Sequence, residues 1–100
     1  MTWVPPACTL PTAEQPLRVA EFDALFARSV RGHARPARRR LTLTLEPTPE
    51  VAATAAGLVM RETGCCSFFT FTLTAANGRL ELDVEADHED VLDAIERRAS

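Results

Sequence analysis

Phe69-Thr70-Phe71-Thr72-Leu73-Thr74-Ala75-Ala76-Asn77-Gly78-Arg79-Leu80-Glu81-Leu82-Asp83-Val84-Glu85 is the stretch whose reading decides the fold. Apolar and polar residues alternate on both sides of Asn77-Gly78, the strongest short hairpin signal. A two-residue loop there fixes the register. Phe71 then faces Val84, Leu73 faces Leu82 and Phe69 faces Ala86, while Thr74 meets Glu81 and Thr72 meets Asp83. One face of this hairpin is apolar and the other polar, so helices should cover a single side of the sheet.

Upstream, Leu41, Leu43 and Leu45 alternate with Thr42 and Thr44, a half-buried strand closed by Pro47. Thr48-Pro49-Glu50 reads as an N-cap, a proline in the first turn and an early acid. They open a helix carrying Val51, Ala52, Ala55, Leu58 and Val59, with Gly64 expected as its left-handed C-terminal residue. Val19, Phe22, Leu25, Phe26 and Val30 recur at helical spacing, which predicts an earlier helix from Leu17 to about Val30. Pro16 suits its first turn, Thr12 or Gln15 is its cap candidate, and Gly32 is its stop.

The stretch from His33 to Arg40 reads as a basic connector. After the hairpin, Asp87 and Asp90 start a last helix with core residues Val91, Leu92 and Ile95, ending on Arg97 and Arg98. The expected fold is α+β, a two-layer α-β-α-β-β-α chain with a three-stranded sheet and helices on one face. A helix joins the first predicted strand to the second, which implies a parallel, right-handed crossover. This is a ferredoxin-like split βαβ with a helix added in front and the last strand missing.

The chain of 100 residues is read as one domain, 1–100. Residues 1–15 form an irregular Pro-rich segment and residues 41–100 the βαββα core. Eleven basic residues, all arginine, against 14 acidic ones give a net charge of -3, which offers no general attraction to nucleic acid or anionic membrane. The absence of lysine and tyrosine looks like coding bias. The stretch Arg28, Arg31, Arg35, Arg38, Arg39 and Arg40 lacks interleaved aromatics and a Gly-rich phosphate cradle, so it reads as a solvated connector and not a nucleic-acid site. No apolar run approaches the roughly 20 residues that span a bilayer, and Met1 to Pro6 lack signal-peptide features. A cytoplasmic chain with reduced thiols is the expectation.

The chemistry concentrates in Glu62-Thr63-Gly64-Cys65-Cys66-Ser67. Two adjacent cysteines between a helix and a strand do not form a packing pattern, although free cysteine is often buried. Neither do they form the C-x-x-C of zinc and redox sites. Neighbouring side chains diverge in a strand, so both sulfurs reach one ion only if the loop kinks. Extending the hairpin register places Ser67 opposite His88. A parallel first strand brings Arg38, Arg39 and Arg40 to the same edge, with His33 just upstream. Cations and helix N-termini lower thiol pKa values below the free figure of about 8.5.

Cys8 is the third thiol, and its place is open. The first helix is about 21 Å long, its C-terminal end feeds the connector, and its start could therefore lie far from the site. A partner subunit is an alternative source of that thiol. His33 and His88 are supplementary ligand candidates, Glu62 is expected to be a solvated acid at a helix end, and the phenylalanines of 68–71 are mainly core. Phe68 alone is a candidate exposed contact, and Trp3 a pocket lid or an anchor for the N-terminal segment.

The string from Glu62 to Phe69, with Ala7-Cys8-Thr9-Leu10 upstream, resembles a group of small, mostly uncharacterised bacterial proteins. They carry a Glu-x-x-Cys-Cys-x-Phe core, and some are linked to heavy-metal response. The likeness spans most of the chain and implies a thiol role for Cys65 and Cys66, with Cys8 as a further candidate. The fold is also similar to heavy-metal-associated chaperone domains. Those place two cysteines after the first strand, so their copper function does not carry over.

Three functions follow as expectations. The first is binding of a soft ion through Cys65, Cys66 and Cys8, with His88 or His33 as supplement. Three sulfurs suit mercury or trivalent arsenic, and an added histidine completes tetrahedral zinc. No organic cofactor is expected. The second is a thiol enzyme in which Cys65 or Cys66 is the nucleophilic or redox group acting on a thiol-reactive molecule. The third is a homodimerising or partner-binding module that uses the uncovered Thr-rich sheet face.

Overall fold

The computed structural model describes residues 15–65 and 69–99, with side chains for 20–64 and 69–99. Its elements in chain order are α1 (Gln15–Ser29), β1 (Val30–Ala37), β2 (Arg40–Leu45), α2 (Pro49–Cys65), β3 (Phe69–Ala76), β4 (Arg79–Ala86) and α3 (Glu89–Ala99). The class is α+β, with three helices and an antiparallel sheet ordered β1-β2-β4-β3 among the described residues.

The hairpin register is the one that the alternation and Asn77-Gly78 dictate. Phe69 pairs with Ala86, Phe71 with Val84 and Leu73 with Leu82. Asn77 at φ 54° and Gly78 at φ 72° are both left-handed, the type I′ geometry whose twist matches that of the strands. β2 joins the other side of β4, with Arg40 opposite Glu85 and Leu45 opposite Leu80. Both β2 and β3 therefore run against β4 and share one direction, with β4 between them.

Among the described residues the sheet has four strands, not the three expected. The residues read as the last helical position and a basic connector form β1, which pairs antiparallel with β2 from Val30 opposite Leu45 to Ala37 opposite Arg40. Pro36 hid it from a propensity reading, because proline cannot donate to a ladder and is tolerated only at an edge or a bulge. β1 is such an edge, with irregularities between Val30 and Gly32 and between Ala34 and Ala37. Gly32 accordingly lies in a strand instead of ending a helix. The Ser29 carbonyl accepts from Glu46 N–H at 2.7 Å, which fixes the helix-to-strand junction against the end of β2.

All helices lie on the apolar face. α2 packs over β3, α3 over β4, β2 and β1, and α1 touches both other helices. Leu41, Leu43, Leu45, Leu80, Leu82 and Val84 fill the sheet side of the core, against Phe22, Leu25, Phe26, Leu58, Leu92 and Ile95. The Phe22 ring stacks on Phe71 at 6.4 Å, tying α1 to β3. Thr48 caps α2 through its Oγ1, which accepts from Val51 N–H at 3.2 Å. At the other end α2 continues through Gly64 to Cys65. Gly78 is the one glycine with positive φ among the described residues, so Gly64 is not the left-handed stop that the sequence suggested.

Candidate thiol site at one end of the sheet

The start of β2, the start of β3 and the end of β4 meet at one end of the sheet, where Arg40 faces Glu85 and Phe69 faces Ala86. α2 ends there at Cys65, and α3 begins there at Glu89, directly after His88. Cys8, Cys66, Ser67, Phe68 and Trp3 lie outside the described residues, as does the Cys65 side chain.

α1 runs antiparallel to α2. At one end Arg61 donates to Glu21 Oε2 at 3.0 Å. At the other, Arg28 and Ser29 line one groove with Glu50, Val51 and Thr54. The start of α1 therefore lies beside the end of α2. The connector expectation had implied the reverse. Because Val30–Ala37 is a strand, α1 runs away from the thiols and β1 carries the chain back.

Glu62 is the clearest departure from expectation. It is 1% exposed, one of two buried polar residues among those described, the other being Ser29. It follows Ala55, Leu58 and Val59 at intervals of seven, four and three residues, so it occupies the apolar stripe of α2. A buried carboxylate is costly unless it is compensated. The solvated helix-end acid of the sequence reading is thus replaced by a core-facing carboxylate one turn ahead of the cysteine pair.

The cationic surroundings differ from expectation too. Arg40 lies 3.2 Å from Asp83 Oδ2 on the open face, and Arg38 lies 3.9 Å from Glu89. Burial pushes the Asp83 carboxyl up, but the Thr42 hydroxyl, donating at 2.5 Å, and the Arg40 guanidinium outweigh it and hold its pKa below the ordinary range. Asp83 reciprocally raises the Arg40 pKa. Arg35 bonds Asp93 at 2.7 Å and Glu96 at 2.9 Å. The bond to Asp93 raises its pKa, with burial opposing and Glu96 adding. These arginines meet acids of β4 and α3. Cys65 itself sits in the last turn of α2, the negative end of that helix dipole, where cations are favoured.

The two histidines are separated. His33 pairs with Leu43 partway along the edge strand β1, and its Nε2 lies 3.2 Å from Glu96 Oε2. His88 precedes α3, about 12 Å along that helix from Glu96 at 1.5 Å per residue. Among the described residues no group of three or more His, Cys, Asp or Glu is arranged to hold a metal. No helix among them is long and apolar enough to cross a membrane. Comparisons with protein-family models, curated proteins and solved structures find no match.

Proposed function

We propose that this protein binds a soft, thiophilic ion of the mercury, trivalent arsenic or zinc type, with Cys65 and Cys66 as core ligands and Cys8 as the third thiolate. The observation that carries the reading is the burial of Glu62 at 1% exposure, one turn before the cysteines. A carboxylate there accepts the protons that thiols release on metal binding, or supplies an oxygen ligand. His88, beside the start of α3, is the histidine placed at that end, and His33 is held by Glu96.

The antiparallel α1–α2 pair supports a role for Cys8. Only six residues separate it from Gln15, and the seven residue steps span at most about 25 Å when fully extended. The end of α2 favours the same reading over a nucleophilic enzyme. A helix C-terminus attracts a cation but disfavours a thiolate standing alone. The order β2-α2-β3, with β4 between the two strands, also supports the split βαβ description, β1 standing at the edge that was expected to be vacant.

The test is titration of the reduced protein with mercuric ion, followed by ultraviolet sulfur-to-metal charge transfer. One ion per chain is expected, with the band lost in Cys65→Ser and Cys66→Ser. A linear rise with no endpoint, unchanged in those variants, would refute the site.

A further inference from the structure

The helical cover on the apolar face of the sheet runs out toward the Asn77-Gly78 turn. Along β3 the core-facing residues pass from buried Phe69, through half-buried Phe71 and Leu73, to exposed Ala75. Ala75 pairs with buried Leu80, and it is the first small side chain in that alternation. α2 begins beside this point and brings Ala52. An alanine on the strand and an alanine on the helix leave a groove of about 400 Å³, within the roughly 300–1,000 Å³ of small-molecule sites. α2 starts at this groove and ends at Cys65, so the two lie about 24 Å apart along the helix at 1.5 Å per residue.

The lining sorts into an apolar floor and a polar mouth. Pro47, Pro49, Ala52, Ala75 and Leu80 are apolar, and the two prolines bring no N–H. The polar side chains are Thr48, Asn77 and Arg79, each of which can donate. Thr48 Oγ1 accepts from Val51 N–H at 3.2 Å, which leaves its own proton to give. Arg79 pairs with Ala76 on the last rung before the turn, so it stands at the rim of the groove and not on its floor. It joins no ion pair among the described residues, whereas Arg31, Arg35, Arg40 and Arg61 each meet an acid. No acidic residue is among the described residues that line the groove. Glu50, the acid in the first turn of α2, lines the groove beside α1 instead.

We propose that this groove binds a small carboxylic acid with an apolar body, of the short-chain fatty acid class. Its chain lies on Ala52, Ala75 and Leu80, and its carboxylate meets Arg79 and the Thr48 hydroxyl. The groove is complementary to that class on both counts, an apolar floor and a mouth of donors around one cation. A cationic ligand would meet Arg79, and a polyol would find few partners on walls of alanine and proline. The site does not depend on the thiols.

Titration of the reduced full chain with hexanoate, read by amide chemical shifts, tests this. Saturable shifts are expected at Ala52, Ala75, Gly78 and Leu80, with hexanol, which lacks the charge, binding at least about tenfold more weakly. Arg79→Gln should lower hexanoate affinity about tenfold and leave that of hexanol unchanged. Ala75→Leu sets a side chain in the groove and should abolish binding while circular dichroism stays native. Ala52→Leu does the same from the helix side should the strand variant fail to fold. Arg38→Gln, at the other end of the sheet, should have no effect. The proposal is overturned by shifts that never saturate through the millimolar range, by equal affinity for hexanoate and hexanol, or by binding that survives Arg79→Gln and both leucine variants. Nuclear Overhauser contacts placing the chain's own N-terminal residues in the groove would overturn it as well.

Discussion

Arg61 of α2 donates to Glu21 of α1 at 3.0 Å, and this bond marks the end of the molecule where α1 begins and α2 closes. The pair is exposed, so its own contribution to stability is at most about 1 kcal/mol. Its importance is positional. It sets the start of α1 beside the end of the helix that carries Cys65, the arrangement on which the proposed part of Cys8 rests.

If Cys8 joins the site, Cys8→Ser leaves thermal stability unchanged and lowers mercuric-ion affinity at least about tenfold, or roughly 1.4 kcal/mol. Competition against a small dithiol measures this. Equal affinity in variant and wild type would assign the site to Cys65 and Cys66 alone.

Glu62→Gln preserves volume and removes the charge. Binding should weaken by about tenfold or more, and the protons released on metal uptake, counted in weakly buffered solution, should change. A variant that binds as tightly as wild type, with the same proton release, would reduce Glu62 to a structural residue.

Asp83 predicts a pH dependence of stability. Its pKa is depressed in the fold by Thr42 and Arg40, so its contribution is present at neutral pH. That contribution is lost as pH falls through the folded value, below the ordinary figure of about 3.9. Thr42→Val removes a hydroxyl bond of about 1 kcal/mol, so Tm should fall by roughly 4–8 °C near neutrality. The gap between variant and wild type should narrow on acidification, and a gap that widens in acid would contradict the assignment.

Gly78 has φ 72° with nothing within 4 Å of an added Cβ, so a substitution there meets backbone strain and no clash. Gly78→Ala should cost about 1–2 kcal/mol without altering the β3–β4 register, as chemical denaturation and amide exchange would show.

The hairpin, its register and the one-sided core were legible because period-two alternation and Asn-Gly act locally. β1 was not legible. Gly32, Pro36 and six arginines between 28 and 40 argue for a loop, and only the free edge of β2 makes a strand of them. That miss reversed the inferred direction of α1. Glu62 could have been found, since its spacing from Ala55, Leu58 and Val59 places it on the buried stripe. Chemical type was allowed to outweigh position. The arginines were placed correctly at the edge through Arg40, but their neutralisation by Asp83, Glu89, Asp93 and Glu96 depends on contacts between distant elements.

The most direct measurement is residue-resolved alkylation of the reduced full chain, with and without one equivalent of mercuric ion, read by native and peptide mass spectrometry. The account predicts one ion per chain and simultaneous protection of Cys8, Cys65 and Cys66. Three thiols that alkylate at the same rates with and without the ion, on a chain that carries no metal, would contradict it.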